Sequence, residues 1–170
     1  MPTFSLNLPP PFEEAVKRME REIMRFLMRS TGDRDDAMDL FQETWLRAYR
    51  AYPTLQSEDG LRPWVFRIAS NLCRNRARDR MRRGRVISGE ALDDAAAAIA
   101  PRQLNLNGGP EGALHLKRAI ARLPGKQGQA LMMRKFAGLE YAEIAEALNC
   151  SAESARASVY QALKKLRLEE

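Results

Sequence analysis

LRPWVFRIASNLCRNRARDRMRRGR (residues 61–85) divides into two halves of opposite chemistry. In the first half Trp64, Val65, Ile68, Ala69 and Leu72 recur at helical spacing. The second half carries Arg74, Arg76, Arg78, Arg80, Arg82, Arg83 and Arg85 against the single acid Asp79. One helix is therefore expected to root itself in a core at one end and to offer a phosphate-binding ridge at the other. Aromatic groups beside such a ridge suit single-stranded nucleic acid, because any base face can stack, with about 1–3 kcal/mol per base. A solvated arginine face on a buried helix accounts for the same composition, and these residues alone leave the two readings level.

Toward the N-terminus, Phe12, Val16, Met19, Ile23, Phe26 and Leu27 form a helical stripe that predicts a helix from Phe12 to Ser30, with Glu13 and Glu14 in its first turn. Gly32 is the expected C-cap and Asp33 the N-cap of a second helix over residues 34–52, which buries Ala37, Leu40, Phe41, Thr44, Trp45 and Ala48 and stops at Pro53. A loop, TLQSEDG, leads to the third helix, where Pro63 is tolerated in the first turn. Residues 12–85 thus make a three-helix bundle, preceded by an extended tail, 1–11, that Pro9, Pro10 and Pro11 keep out of a helix.

After Arg85 the composition turns to Ala, Gly, Asn and Pro with the acids Glu90, Asp93, Asp94 and Glu111, so residues 86–112 are expected to be a flexible linker with one turn at 90–99. A second helical unit, 113–170, follows. Leu114, Ala119, Ile120 and Leu123 form a stripe ended by Pro124-Gly125, and residues 126–136 form a further helix ended by Gly138. In EYAEIAEALNCSAESARASVYQALKKLR (140–167), Ile144, Ala145 and Leu148 face inward, Asn149 tolerates a left-handed turn, and Ser151 caps the last helix. Ala155, Val159, Ala162, Leu163 and Leu166 form that helix's buried stripe, leaving Glu153, Ser154, Arg156, Ser158, Tyr160, Gln161 and Lys164 on the open side. Two helices, such a turn and such a face describe a helix-turn-helix, whose second helix enters the major groove. Arg156 and Gln161 suit base edges, while Lys164, Lys165 and Arg167 suit phosphates. A plain helical hairpin is the competing reading.

The fold class is all-α: two small helical domains joined by a flexible linker. The chain has 170 residues, 45% of them hydrophobic, and a formal net charge of +6, which favours a polyanionic partner. Cys73 and Cys150 have no neighbour at metal-ligand spacing and are read as free thiols of a reducing cytoplasm. No stretch reaches the apolar length of a membrane span, and the N-terminus lacks the pattern of a signal peptide, so a cytoplasmic location without membrane insertion is expected. His115, the only histidine, has no nucleophile or carboxylate cluster beside it. No glycine-rich phosphate loop or metal-ligand constellation is present in the sequence, so no catalytic residue, metal or cofactor is expected.

Two separated segments resemble one family. DAMDLFQETWLRAYRAY (36–52), LRPWVFRIASN (61–71) and the arginine tract look like the second region of bacterial sigma-70 family sigma factors, nearest the extracytoplasmic-function (ECF) subgroup. ARLPGKQGQALMMRKFAGLEYAEIAEALNCSAESARASVYQALKKLR (121–167) resembles their fourth region. The resemblance implies a non-enzymatic subunit that binds core RNA polymerase through the face of Asp39, Gln42 and Glu43, with Leu40 and Trp45. It implies that Trp64, Arg67, Asn71, Arg74, Arg78, Arg80, Arg82 and Arg83 engage the −10 promoter element as single strand, a flipped base being held partly by the loop Gln56–Gly60. Glu153, Ser154, Arg156, Ser158, Tyr160, Gln161 and Lys164 would then engage the duplex −35 element, and an anti-sigma factor would be the regulatory partner. The alternative, a helix-turn-helix regulator acting without polymerase, accounts for residues 113–170 but leaves the arginine tract unexplained.

Overall fold

The computed structural model describes residues 7–88 and 109–168, and among these the regular structure is entirely helical. Helix α1 (Phe12–Thr31) buries Ala15, Met19, Ile23, Phe26 and Leu27, and Gly32 ends it at φ 66°, donating its N–H to the Met28 carbonyl at 2.9 Å. Asp33 then caps α2 (Arg34–Ala51), its carboxylate accepting the Asp36 N–H at 2.9 Å. Ala37, Leu40, Thr44, Trp45 and Ala48 face inward from α2, and the buried Thr44 hydroxyl is satisfied by the Leu40 carbonyl at 2.6 Å. A 3₁₀ turn over Tyr52–Thr54, holding Pro53, takes the place of the last expected residue of that helix.

Helix α3 (Leu61–Ser88) supplies Val65, Phe66, Ala69, Leu72 and Cys73 to the core. Phe66 meets Phe26 edge to face at 5.3 Å, a geometry that adds about 0.5–1.5 kcal/mol beyond area burial. Burial pushes the Cys73 thiol up to about 12, which leaves it inert as a nucleophile. The helix runs three residues past its expected end at Arg85, through Val86 and Ile87 to Ser88, and tolerates Gly84 within it.

In the C-terminal half, α4 (Gly109–Arg122) begins before the expected Ala113, with Pro110 in its first turn. The segment read as a linker, 86–112, is therefore helical at both edges; the turn expected at 90–99 lies outside the described residues. Helices α5 (Gly125–Phe136), α6 (Tyr141–Leu148) and α7 (Ala152–Leu168) follow. Gly138, at φ 69°, lets the chain turn so that the fully buried Leu139 donates its N–H to the Met133 carbonyl at 3.1 Å. Asn149, at φ 51°, makes the α6–α7 turn in the left-handed region, as its short amide permits. The Ser151 hydroxyl accepts the Ser154 N–H at 3.1 Å as the cap of α7.

The two halves do not stand apart. Their buried apolar residues form one continuous core in which α3 packs on α4, α5 and α6, and α1 packs on α5. Polar bonds cross the same seam: Arg29 reaches the Phe136 carbonyl at 3.1 Å, and Arg62 of α3 pairs with both Glu22 of α1 and Glu143 of α6.

Candidate nucleic-acid interface

Helix α3 presents Trp64, Arg67, Asn71, Arg74, Arg78 and Arg82 at steps of three and four residues, so they lie along one face. The N-terminal end of this stripe opens on a recess of about 300 Å³. Gln56, Ser57 and Gly60 of the preceding loop form one wall, Trp64 and Arg67 contribute from the helix, and Glu146 and Ala147 of α6 close the far side. Trp64 is half-buried and leans edge-on toward Tyr52 at 6.2 Å, so it serves the core and the recess at once. Arg67 is exposed.

The C-terminal half bonds to the middle of the stripe, where Asn71 is exposed and Arg74 half-buried. The Asn71 side-chain oxygen accepts a hydrogen bond from the Gln129 amide of α5. Arg74 donates to the Leu123 carbonyl at 3.1 Å; burial, and then the neighbouring charge of Arg78, lowers its pKa. Farther along, Arg78 and Arg82 are exposed again. Arg80 lies on a different face, together with Arg76: both pair with the buried Asp36 carboxylate at the start of α2, Arg76 at 2.8 Å. The arginine tract is thus divided in use, with part of it fastening α3 to α2. Arg83 is exposed.

The second basic face belongs to α7. Its Ala155, Val159, Ala162 and Leu166 are buried, while Glu153, Ser154, Arg156, Tyr160, Gln161 and Lys164 are exposed and Ser158 is half-buried. The Arg156 guanidinium sits 5.2 Å from the centre of the Tyr141 ring, and Arg134 lies 4.8 Å from the same ring. Cation–π attraction thereby orients Arg156 ahead of any contact it makes. Helix α6 opens on Glu140, whose N–H is satisfied by the Glu143 carboxylate at 2.9 Å, one half of a capping box.

On α2 the structure separates residues that the family resemblance grouped, and follows the helical period in burying Leu40 and Trp45. Asp39 and Gln42 are exposed, and Glu43 is half-buried with Arg47 bonded to it at 2.6 Å. Leu40 and Trp45 instead belong to the core, at 2% and 8% exposure, because they fall on the helix's inward stripe. The apolar groups that this helix does expose are Met38, Leu46 and Tyr49, which their positions off that stripe could have signalled.

Glu143 connects this interface to acidity. Burial raises its pKa, but hydrogen bonds from Arg62 and the Glu140 N–H, with the charge of Arg62, outweigh that and hold it below the usual carboxylate value. A carboxylate depressed on folding contributes fully above its unfolded pKa of about 4.3, and the contribution is lost as pH falls through the lower folded value. Labels placed on α3 and α6 should therefore report a loosening in strong acid to which Glu143 contributes. The E143Q variant should show a smaller acid step and a looser contact at neutral pH; an identical titration would remove Glu143 from that role.

Among the described residues no group of three or more His, Cys, Asp or Glu side chains could hold a metal ion, and no helix is long and apolar enough to cross a membrane. Helical throughout its described residues, with a helix-turn-helix in the C-terminal half and an arginine-bearing stripe on α3, the fold is that of a DNA-binding protein. The chain belongs to the sigma-70 family of RNA polymerase sigma factors, ECF type: residues 15–83 match Sigma-70 region 2 and residues 114–166 match Sigma-70, region 4. It is 29% identical to the RNA polymerase sigma-H factor of Pseudomonas aeruginosa over 89% of this chain and 81% of that protein. It is 30% identical to the ECF RNA polymerase sigma factor EcfG of Rhodopseudomonas palustris, over 83% of this chain and 75% of that one. Its fold resembles that of the sigma factor RpoE of Bartonella quintana, solved in complex with the anti-sigma factor NepR. The TM-score is 0.58 at 22% identity, over 93% of this chain and 95% of that chain.

Proposed function

We propose that the chain joins core RNA polymerase as a dissociable, non-enzymatic specificity subunit. It reads the −35 element as duplex through α7, and it engages the −10 element through the α3 stripe and the recess, helping to open the duplex there. The observation that carries this reading is the stripe itself: one helix face runs from Trp64 and Arg67 at the recess, past Asn71, to an exposed cationic end at Arg78 and Arg82. A base turned out of the stack costs a few kcal/mol, which stacking and hydrogen bonds in such a recess offset. The exposed part of α2 around Asp39 and Gln42, with Met38, Leu46 and Tyr49 near them, offers core polymerase a mixed polar and apolar surface. An anti-sigma factor, like the one that accompanies the Bartonella relative, would act by covering these faces.

Asn71 and Arg74 are engaged by Gln129 and Leu123 of the C-terminal half. Reading the −10 strand through them therefore requires α5 to leave α3. The test is to titrate the chain into purified core polymerase and then sequence run-off transcripts from a library of promoter fragments. Stable association with transcription from a shared two-element motif is the expected result. Sequence-specific duplex binding by the chain alone, without association, would instead make it an ordinary helix-turn-helix regulator.

A further inference from the structure

The tail ahead of α1 lies against the loop that walls the recess. The Asn7 carbonyl accepts the Glu58 N–H at 3.0 Å, and the Asn7 amide donates to the Asp59 carboxylate at 2.6 Å. The Tyr52 hydroxyl donates to the Pro10 carbonyl at 2.6 Å, and Phe12 sits edge-on to Tyr52, Tyr49 and Trp45. Between Asn7 and Phe12 run Leu8, Pro9, Pro10 and Pro11, the last at φ −51° and ψ 144°. Consecutive prolines favour such an extended form and have little conformational entropy left to lose. Phe12 therefore projects Asn7 toward the loop along a stiff arm.

What Asn7 holds matters to the recess. The Glu58 carbonyl accepts the Leu61 N–H at 3.0 Å and the Gly60 carbonyl accepts the Trp64 N–H at 3.1 Å, so the loop and the first turn of α3 are one hydrogen-bonded unit. Ser57 and Gly60 line the recess on either side of the Glu58–Asp59 pair that the tail grips. Arg18 of α1 also bonds the Glu58 carboxylate, at 2.5 Å, but nothing on α1 replaces the backbone bond from Asn7.

We propose that residues 7–10 are a strap that sets the shape of the recess, and that Asn7 is a positioning residue for the choice of base held there. This rests on the functional reading above, because the choice of base has meaning only if the recess receives one. A strap of this kind acts on discrimination among bases and leaves attachment to polymerase and reading by α7 alone, since neither surface includes the tail.

The experiment has a structural and a functional arm. In the free full-length chain, amide exchange at Glu58 should be protected, and deleting residues 2–8 should abolish the protection; a Glu58 amide that exchanges equally in both would overturn the strap. In transcription with core polymerase and a promoter library randomised at the −10 element, N7D sets two carboxylates against each other. It should lower the preference for the best base over the next by about fivefold, the scale of one hydrogen bond. The double variant N7D/D59N restores an amide–carboxylate pair in reverse and should restore the preference, with core affinity and −35 preference unchanged throughout. An N7D profile identical to the parent, or no recovery in the double variant, would overturn the positioning role. If the parent chain itself fails to associate with core polymerase, the functional reading and the base-selection claim fall together, whereas the exchange arm still decides the strap.

Discussion

Replacing Arg78, Arg82 and Arg83 together by alanine should flatten the salt dependence of promoter-complex formation. Each phosphate contact contributes about 0.9 to the slope of log K against log salt on duplex DNA and about 0.7 on a single strand, so three contacts account for roughly 2–2.7. All three side chains are exposed on the distal part of α3. Measured by salt titration of open-complex formation, affinity near 50 mM salt should drop most, and the variant's curve should approach the parent's at high salt. An unaltered slope would mean that these arginines are only a solvated face. R80A should behave differently. Arg80 pairs with the buried Asp36, so its loss leaves that carboxylate with less compensation and should show first as reduced stability of the α2–α3 packing.

The second large effect is expected at Asn71, where one side chain has two roles that can be separated. N71A removes the donor–acceptor pair proposed for a −10 base, and loss of one well-formed base contact corresponds to about 1–3 kcal/mol of discrimination, or roughly 5- to 150-fold. It also releases Gln129, whose amide donates to Asn71 across the seam between the halves. Q129A removes that bond across the seam and leaves Asn71 intact. Open-complex assays should therefore show N71A impaired and Q129A equal to or better than the parent, while both associate normally with core polymerase. Equal impairment of the two would assign Asn71 to packing between the halves and take it out of base reading.

Much of this architecture is legible along the chain because its signals are local. Gly32, Asp33, Asn149 and Ser151 each do what their backbone and side-chain chemistry favours at a helix end, and the buried stripes of α1, α2 and α7 follow the helical period. The seam between the halves was not legible, for a physical reason. Arg62, Arg74, Asn71, Gln129 and Glu143 look like surface residues in any one-dimensional pattern, and only pairing across the fold makes them partners. Arg80 illustrates the same limit: composition counts it with the arginine ridge, whereas Asp36, forty-four positions earlier, decides where it points. Leu40 and Trp45 show the converse, since a motif groups them with exposed neighbours while the period of their own helix turns them inward. The role of Asn7 was out of reach for a third reason: nothing in a polar residue before three prolines announces the loop that it meets fifty residues later.

The continuity of α3 has a metric consequence for any promoter it engages. The helix is unbroken from Leu61 to Ser88, so the distance between Arg67 at the recess and Arg82 on the ridge cannot be adjusted. Fifteen residues at about 1.5 Å each give a span of roughly 22 Å. On stacked duplex, at about 3.4 Å per step, that would be the rise of six or seven nucleotides. The helix is in this sense a ruler. If Arg67 and Arg82 hold one promoter strand as proposed, the protein has no joint between them, so any change of spacing has to be taken up by the DNA.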